Sequence, residues 1–169
     1  MSDYTRFFLV DDDTDDISVF KEVLQEVDPS IELVSAGDGQ EALKFLKHLR
    51  NDYPDIIFLD LNMPRMGGKE CLTELKKDKA LQHIPVIMYT TSSQSKDIEE
   101  TMLKGAMCFI TKPTNLKELK NILHTISRNV HNNLEKCLRT LSNTSNTFIV
   151  CWQNLFKTMC IFLYSFNTT

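Results

Sequence analysis

Acids, hydroxyls and one amine recur in this chain at corresponding places, each just after a short apolar run. Asp11, Asp12 and Asp13 follow the run at 7–10, Asp60 follows 56–59, Thr90 and Thr91 follow 85–89, and Thr111 and Lys112 follow 108–110. Carboxylates gathered in one crevice raise one another's pKa unless a cation intervenes, and hard oxygen donors of this kind suit Mg2+. Such an ion leaves room for a phosphoryl oxygen. The Lys112 ammonium can act on phosphate as a point charge, while a Thr90 hydroxyl and nearby amides can donate hydrogen bonds.

Taken singly, each acid has a plainer reading. An aspartate after a strand commonly caps the next helix, and Asp13, Thr14, Asp15 and Asp16 suit a cap and a first turn, where the macrodipole favours negative charge. Asp11, Asp12 and Asp60 resist that reading because they recur at separate strand ends.

The elements that must position these groups are legible from periodicity. Apolar runs at 7–10, 31–34, 56–59, 85–89 and 108–110 are continuous rather than alternating, the pattern of strands buried on both faces of a parallel sheet. Between them lie helical stripes: Val19, Phe20, Val23, Leu24 and Val27; Ala42, Leu43, Leu46 and Leu49; Leu72 and Leu75; Ile98, Met102 and Leu103 in a helix over 95–104 ended by Gly105; and Leu116, Leu119, Ile122, Leu123 and Ile126. The alternation predicts an α/β, (βα)5 doubly wound domain over 4–130, with right-handed crossovers and a C-terminal extension over 131–169. In such sheets the ligand crevice lies at the carboxyl ends of the strands, where the acids and the amine fall.

At 169 residues, 42% hydrophobic and 25% charged, the composition is that of a globular protein. Lys136, Arg139 and Lys157 against Glu135 give the segment 129–169 a charge of +2, so the net −4 leaves −6 on residues 1–128. That balance argues against direct nucleic-acid binding. Cys71, Cys108, Cys137, Cys151 and Cys160 form no CxxC pair, so neither a zinc site nor a disulfide framework is indicated, and a reducing, cytoplasmic setting is the simplest expectation. The run at 7–10 is too short for a signal-peptide core.

The segments FLVDD, FLDLNMPRMGG, IPVIMYTTSS and FITKP, in this order over about residues 6–128, resemble the successive motifs of response-regulator receiver domains. The resemblance implies a five-stranded parallel sheet of order 2-1-3-4-5 and a two-component signalling role in which Asp60 is the phosphoacceptor. It implies that Asp11, Asp12, Asp60 and the Asn62 backbone carbonyl hold Mg2+. Thr90, Thr91 and Lys112 would bind phosphate, Thr90 and Phe109 would act as switch residues, and Ser92 with Asn62 would tune dephosphorylation. It also implies a cis peptide between Lys112 and Pro113. Thr114 departs from the aromatic often found after that proline, and Phe109 lacks the hydroxyl of the common tyrosine. The implied partners are a histidine kinase or phosphotransfer protein, of the kind serving phytochrome-type kinases, and a downstream protein target. On this reading the chain is not an enzyme beyond its own phosphorylation and dephosphorylation. Two rivals are an aspartyl-nucleophile phosphatase, for which no second acid or specificity insert is evident, and a binding module on the same fold without phosphorylation.

The tail has no helix-turn-helix or winged-helix pattern. NNLEKCLRTL reads as a continuation of the last helix before a polar break at 142–147. The 19 residues from Phe148 to Phe166 are strongly apolar, yet Gln153, Asn154 and Lys157 argue against a membrane span. Phe148, Trp152, Leu155, Met159, Phe162 and Phe166 have helical spacing, which predicts an amphipathic helix lying on the receiver or on a second copy in a homodimer. An interfacial membrane helix and a mere terminal extension stay open.

Overall fold

The computed structural model describes residues 4–49 and 52–151. The chain alternates β1 (Arg6–Val10), α1 (Thr14–Val27), β2 (Glu32–Ala36), α2 (Gly39–His48), β3 (Ile56–Leu59), α3 (Gly68–Lys77), β4 (Val86–Thr90), α4 (Ser95–Leu103), β5 (Cys108–Thr111) and α5 (Leu116–Asn129), and continues with α6 (Leu134–Leu141) and β6 (Ile149–Cys151). The sheet order is β2-β1-β3-β4-β5-β6, parallel throughout except for the antiparallel β5–β6 pair. The doubly wound 2-1-3-4-5 arrangement is therefore present, with a sixth strand added at the β5 edge.

The apolar strands β1, β3, β4 and β5 follow from burial on both faces; β2, at the sheet edge and interrupted by Glu32 and Ser35, is partly exposed and does not meet the expectation of a doubly buried strand at 31–34. Phe8, Val10, Ile57, Leu59, Met88 and Phe109 face one layer with Leu43 and Leu46 of α2, Leu72 and Leu75 of α3, and Ile98 and Met102 of α4. Their neighbours Phe7, Leu9, Ile56, Phe58, Ile87, Cys108 and Ile110 face the other, against Phe20 and Leu24 of α1, Leu119, Ile122, Leu123 and Ile126 of α5, and Leu134 and Leu138 of α6. Each large apolar side chain buried this way contributes about 1.5–3 kcal/mol, and a one-residue slip would exchange every side chain between the two layers and lose the packing of both. Local chemistry sets the helix ends. The Asp13, Asp38 and Asn115 side chains accept from first-turn amides of α1, α2 and α5, and Gly105, at φ 97°, turns the chain after α4.

The extension departs from the expectation drawn from sequence in two ways. NNLEKCLRTL does not prolong α5; Asn133 takes a left-handed φ of 55° and α6 starts afresh, laying Leu134 and Leu138 on the α5 side of the sheet. Ile149–Cys151 forms a strand rather than the start of a helix. The edge of β5 offers unpaired peptide groups, and a β-branched pair buried on both faces gains more as strand than as a one-sided helix. Of the segment predicted to be helical, residues 152–169 lie outside the described residues. Among the described residues no helix is long and apolar enough to cross a membrane.

Candidate functional site

Backbone register brings the reactive groups to one edge. Asp11 N donates to Ala36 O (2.9 Å), Asp60 N to Val10 O (2.9 Å) and Lys112 N to Thr90 O (2.8 Å), so the residues just past β1, β3 and β5 are tied side by side. The Asp11, Asp12 and Asp60 carboxylates meet there, each offering an oxygen within 4.8 Å of the others. Asp11 is wholly buried, Asp60 nearly so, and Asp12 is exposed. Leu61 N donates to Asp60 Oδ1 (2.7 Å) and Asp13 N to Asp11 Oδ1 (3.1 Å), which fixes one oxygen of each carboxylate and leaves the other facing the crevice.

Lys112 closes the group. Its Nζ lies 2.7 Å from Asp11 Oδ2, 2.6 Å from Asp16 Oδ2 and 3.9 Å from Asp60 Oδ2. Burial by itself lowers the pKa of this ammonium, but the close Asp11 and Asp16 carboxylates outweigh it and the net shift is upward, so Lys112 stays charged. Burial raises the Asp11 carboxyl above its ordinary value, with Lys112 opposing. The buried Asp11 Oδ2 accepts no hydrogen bond of ordinary angle despite the close charge contact. A buried oxygen so poorly satisfied, beside two further carboxylates, is a donor set that fits a hard divalent cation.

The remaining predicted residues sit around this core. Thr90 is buried at the end of β4, and its Oγ1 accepts from Ser92 N (3.3 Å). Thr91 is exposed beside it, and Asn62 is exposed two residues beyond Asp60. Phe109 is fully buried, its strand partners being Met88 on β4 and Val150 on β6. The Lys112–Pro113 peptide is trans, since the described residues contain no cis peptide; this corrects the expectation of a cis bond. The intrinsic cis–trans difference before proline is only about 0.5–1 kcal/mol, so the surroundings decide, and here the trans form already seats Lys112 N on Thr90 O and its amine on Asp11.

Three further groups belong to the site. Asp16, read from sequence only as a first-turn acid, reaches Lys112 across 96 residues of chain. Nothing in the spacing announces this, because the contact depends on how α1 lies over β5. Gly68 is pressed against the Asp60 carbonyl, where an added Cβ would overlap backbone; the paired glycines of RMGG were its visible trace. Lys69 on α3 binds Asp97 Oδ1 (2.7 Å) and Glu100, while Ser92 Oγ donates to Asp97 Oδ2 (2.6 Å), so the loop carrying Thr91 and Ser92 is strapped to α3 and α4.

A sequence model of the family described as "Response regulator receiver domain" matches residues 7–124. The chain belongs to this receiver family. The receiver is 35% identical over 123 residues to response regulator Rcp1 of Synechocystis sp., covering 70% of this chain and 83% of that protein. Among solved structures it is similar to the phosphorylated cyanobacterial phytochrome response regulator RcpA, with TM-score 0.68, 36% identity, and coverage of 74% of this chain and 92% of that one. It is also similar to the Mn2+-bound form of Rcp1, with TM-score 0.65, 33% identity, and coverage of 73% and 91%. The receiver's acidic cluster thus stands at the carboxyl edge of a response-regulator fold of the two-component type.

Proposed function

We propose that this receiver accepts a phosphoryl group on the Asp60 carboxylate, from a histidine kinase or phosphotransfer protein or from a small phosphodonor, and thereby changes a surface read by a downstream protein. The observation that carries the reading is the meeting of Asp11, Asp12 and Asp60 within 4.8 Å under the Lys112 amine. The Asp60 oxygen that accepts nothing from Leu61 N is the natural nucleophile: it forms the new bond to phosphorus as the bond to the donor's imidazole nitrogen breaks, and that nitrogen leaves with its electron pair.

Asp11, Asp12, Asp60 and the Asn62 backbone carbonyl would hold Mg2+, which when bound supplies positive charge against the accumulating negative charge. Lys112 is held ready by Asp11 and Asp16 and needs only a small shift to reach a phosphoryl oxygen on Asp60. Thr90 can turn its hydroxyl from Ser92 N toward the same group, and Thr91 N–H is a further donor. The domain contributes positioning and charge, and turns over no separate substrate.

The acyl phosphate adds charge and acceptor oxygens, which biases the loops after β3 and β4 toward Asp60. Phe109 would relay this by repacking. Its ring is already inside the core against the α4 side of the sheet, so the change required is an adjustment among Met88, Ile98 and Val150 rather than entry from solvent. The likeness to a phosphorylated phytochrome response regulator and to a Mn2+-bound one supports both the modification and the metal, and points to a phytochrome-type kinase as donor. We assign residues 4–130 as the receiver and 131–169 as its extension, in a cytoplasmic setting.

The test is direct. Incubation with acetyl phosphate and Mg2+ should add one phosphoryl mass to the wild type, read by intact-protein mass spectrometry, and none to Asp60→Asn. Equal labelling of the variant removes the assignment, and turnover of a phosphate monoester beyond one equivalent would favour the phosphatase reading instead.

A further inference from the structure

Two buried cysteines face each other where the extension joins the sheet. Cys108 of β5 and Cys151 of β6 are direct partners in the antiparallel ladder, and their Sγ atoms lie 3.0 Å apart. The ladder's hydrogen bonding makes this pairing specific. Thr111 N donates to Phe148 O (3.0 Å), so 111 and 148 form a hydrogen-bonded pair. Alternation along the register then makes Phe109 and Val150 hydrogen-bonded, and Cys108 and Cys151 a non-hydrogen-bonded pair. Opposed Cα atoms come closest at such pairs, about 4.5 Å, within the span of a disulfide. Both side chains point to the α5–α6 side of the sheet, into a layer that includes Leu123, Leu134 and Leu138. Cys71, on the opposite layer, and Cys137, half-buried on α6, are not partners of either.

We infer that Cys108 and Cys151 are a redox-responsive dithiol that closes under a small-molecule disulfide into a cross-strand staple holding β6 on the β5 edge. The chemistry is thiol–disulfide exchange. The Cys151 thiolate attacks one sulfur of the small disulfide, forming a mixed disulfide and releasing one small thiolate. The Cys108 thiolate then attacks the Cys151 sulfur and expels the second. Two electrons pass from the protein sulfurs to the small disulfide, and the two protein thiol protons end on the two small thiols.

Position controls the rate. Cys108 and Cys151 are both fully buried, and burial holds the Cys108 thiol well above the ordinary range, so a small disulfide reaches Cys151 only when β6 separates, and Cys108 closes the bond as β6 returns. β6 is a three-residue strand at the sheet edge, the kind of element that opens locally at low cost. With the thiols free, β6 can leave and expose the β5 edge beside Phe109. Once stapled it cannot, and the edge is closed to any incoming strand.

The experiment uses the full chain. After incubation with excess oxidised glutathione, free thiols are alkylated under denaturing conditions and the protein is digested without reduction. A peptide joining Cys108 to Cys151 within a monomer is expected, lost on treatment with dithiothreitol and absent from Cys151→Ala and Cys108→Ala. Amide exchange at Thr111 should slow in the oxidised form by tenfold or more. The inference is overturned if both cysteines remain alkylated, if Cys151 pairs with Cys71, Cys137, Cys160 or a second chain, or if the staple forms without slowing Thr111. The wild-type map stands by itself should either variant fail to fold.

Discussion

Lys112 Nζ stands 2.7 Å from Asp11 Oδ2 but 3.9 Å from Asp60 Oδ2. The amine therefore neutralises the most deeply buried acid of the cluster and leaves the proposed phosphoacceptor with an open side. Asp16 holds the amine from the α1 side at 2.6 Å, and two close partners leave one of its three N–H donors for a phosphorylated Asp60.

This geometry gives Lys112 two separable jobs. Lys112→Met strands the buried Asp11 carboxylate and should lower unfolding free energy by about 3 kcal/mol, measured by urea denaturation without metal. Adding Asp11→Asn to Lys112→Met should restore most of that stability. Labelling by acetyl phosphate should fall about a hundredfold in Lys112→Met, as when a charge-stabilising donor is removed. Labelling at the wild-type rate in the variant would exclude the role proposed for the amine.

Gly68 gives a steric prediction. A Cβ there meets the Asp60 carbonyl and the Leu61 Cα, both backbone, so Gly68→Ala should cost about 1–3 kcal/mol and slow labelling of Asp60. Gly67→Ala is the control, since its Cβ would come no closer than 3.1 Å, to Leu61 O. Thermal melts that rank the two variants the other way would contradict the contact.

Mg2+ should stabilise the folded chain by relieving repulsion among Asp11, Asp12 and Asp60. At a hundredfold excess over its dissociation constant the gain is about 2.7 kcal/mol, and it should vanish with a chelator. Asp12→Asn should blunt the Mg2+-dependent rise in Tm while leaving the metal-free melt nearly unchanged, because Asp12 is exposed. A Tm that ignores Mg2+ in the wild type would argue against the metal site.

The strap on the β4–α4 loop sets a pH dependence. The Lys69 ammonium, and then the Ser92 hydroxyl, hold the Asp97 carboxyl below its ordinary value. A depressed carboxyl contributes stability that is fully present above its unfolded pKa of about 3.9 and is lost as pH falls through the folded value. The stability difference between wild type and Asp97→Asn should therefore be near 0.5–1 kcal/mol at pH 6, given the partial exposure of the pair, and should shrink toward zero below about pH 3. Denaturation midpoints across that range decide it; a difference that grows on acidification would have the wrong sign.

The five βα units and the acids and the amine at the strand ends were legible in the residues. A strand buried on both faces must be apolar throughout, and a helix over it must carry a stripe, so periodicity alone reports the alternation, and the crevice rule then says which ends matter. Asp16 on Lys112, the Lys69–Asp97–Ser92 strap and the pairing of Cys108 with Cys151 were decided only by tertiary structure. Each is a contact between elements whose separation and tilt no local pattern encodes. The tail shows the limit most clearly: 149–151 has an apolar sequence compatible with helix or strand, and what chose the strand was the unpaired edge of β5, a property of the assembled sheet rather than of the segment.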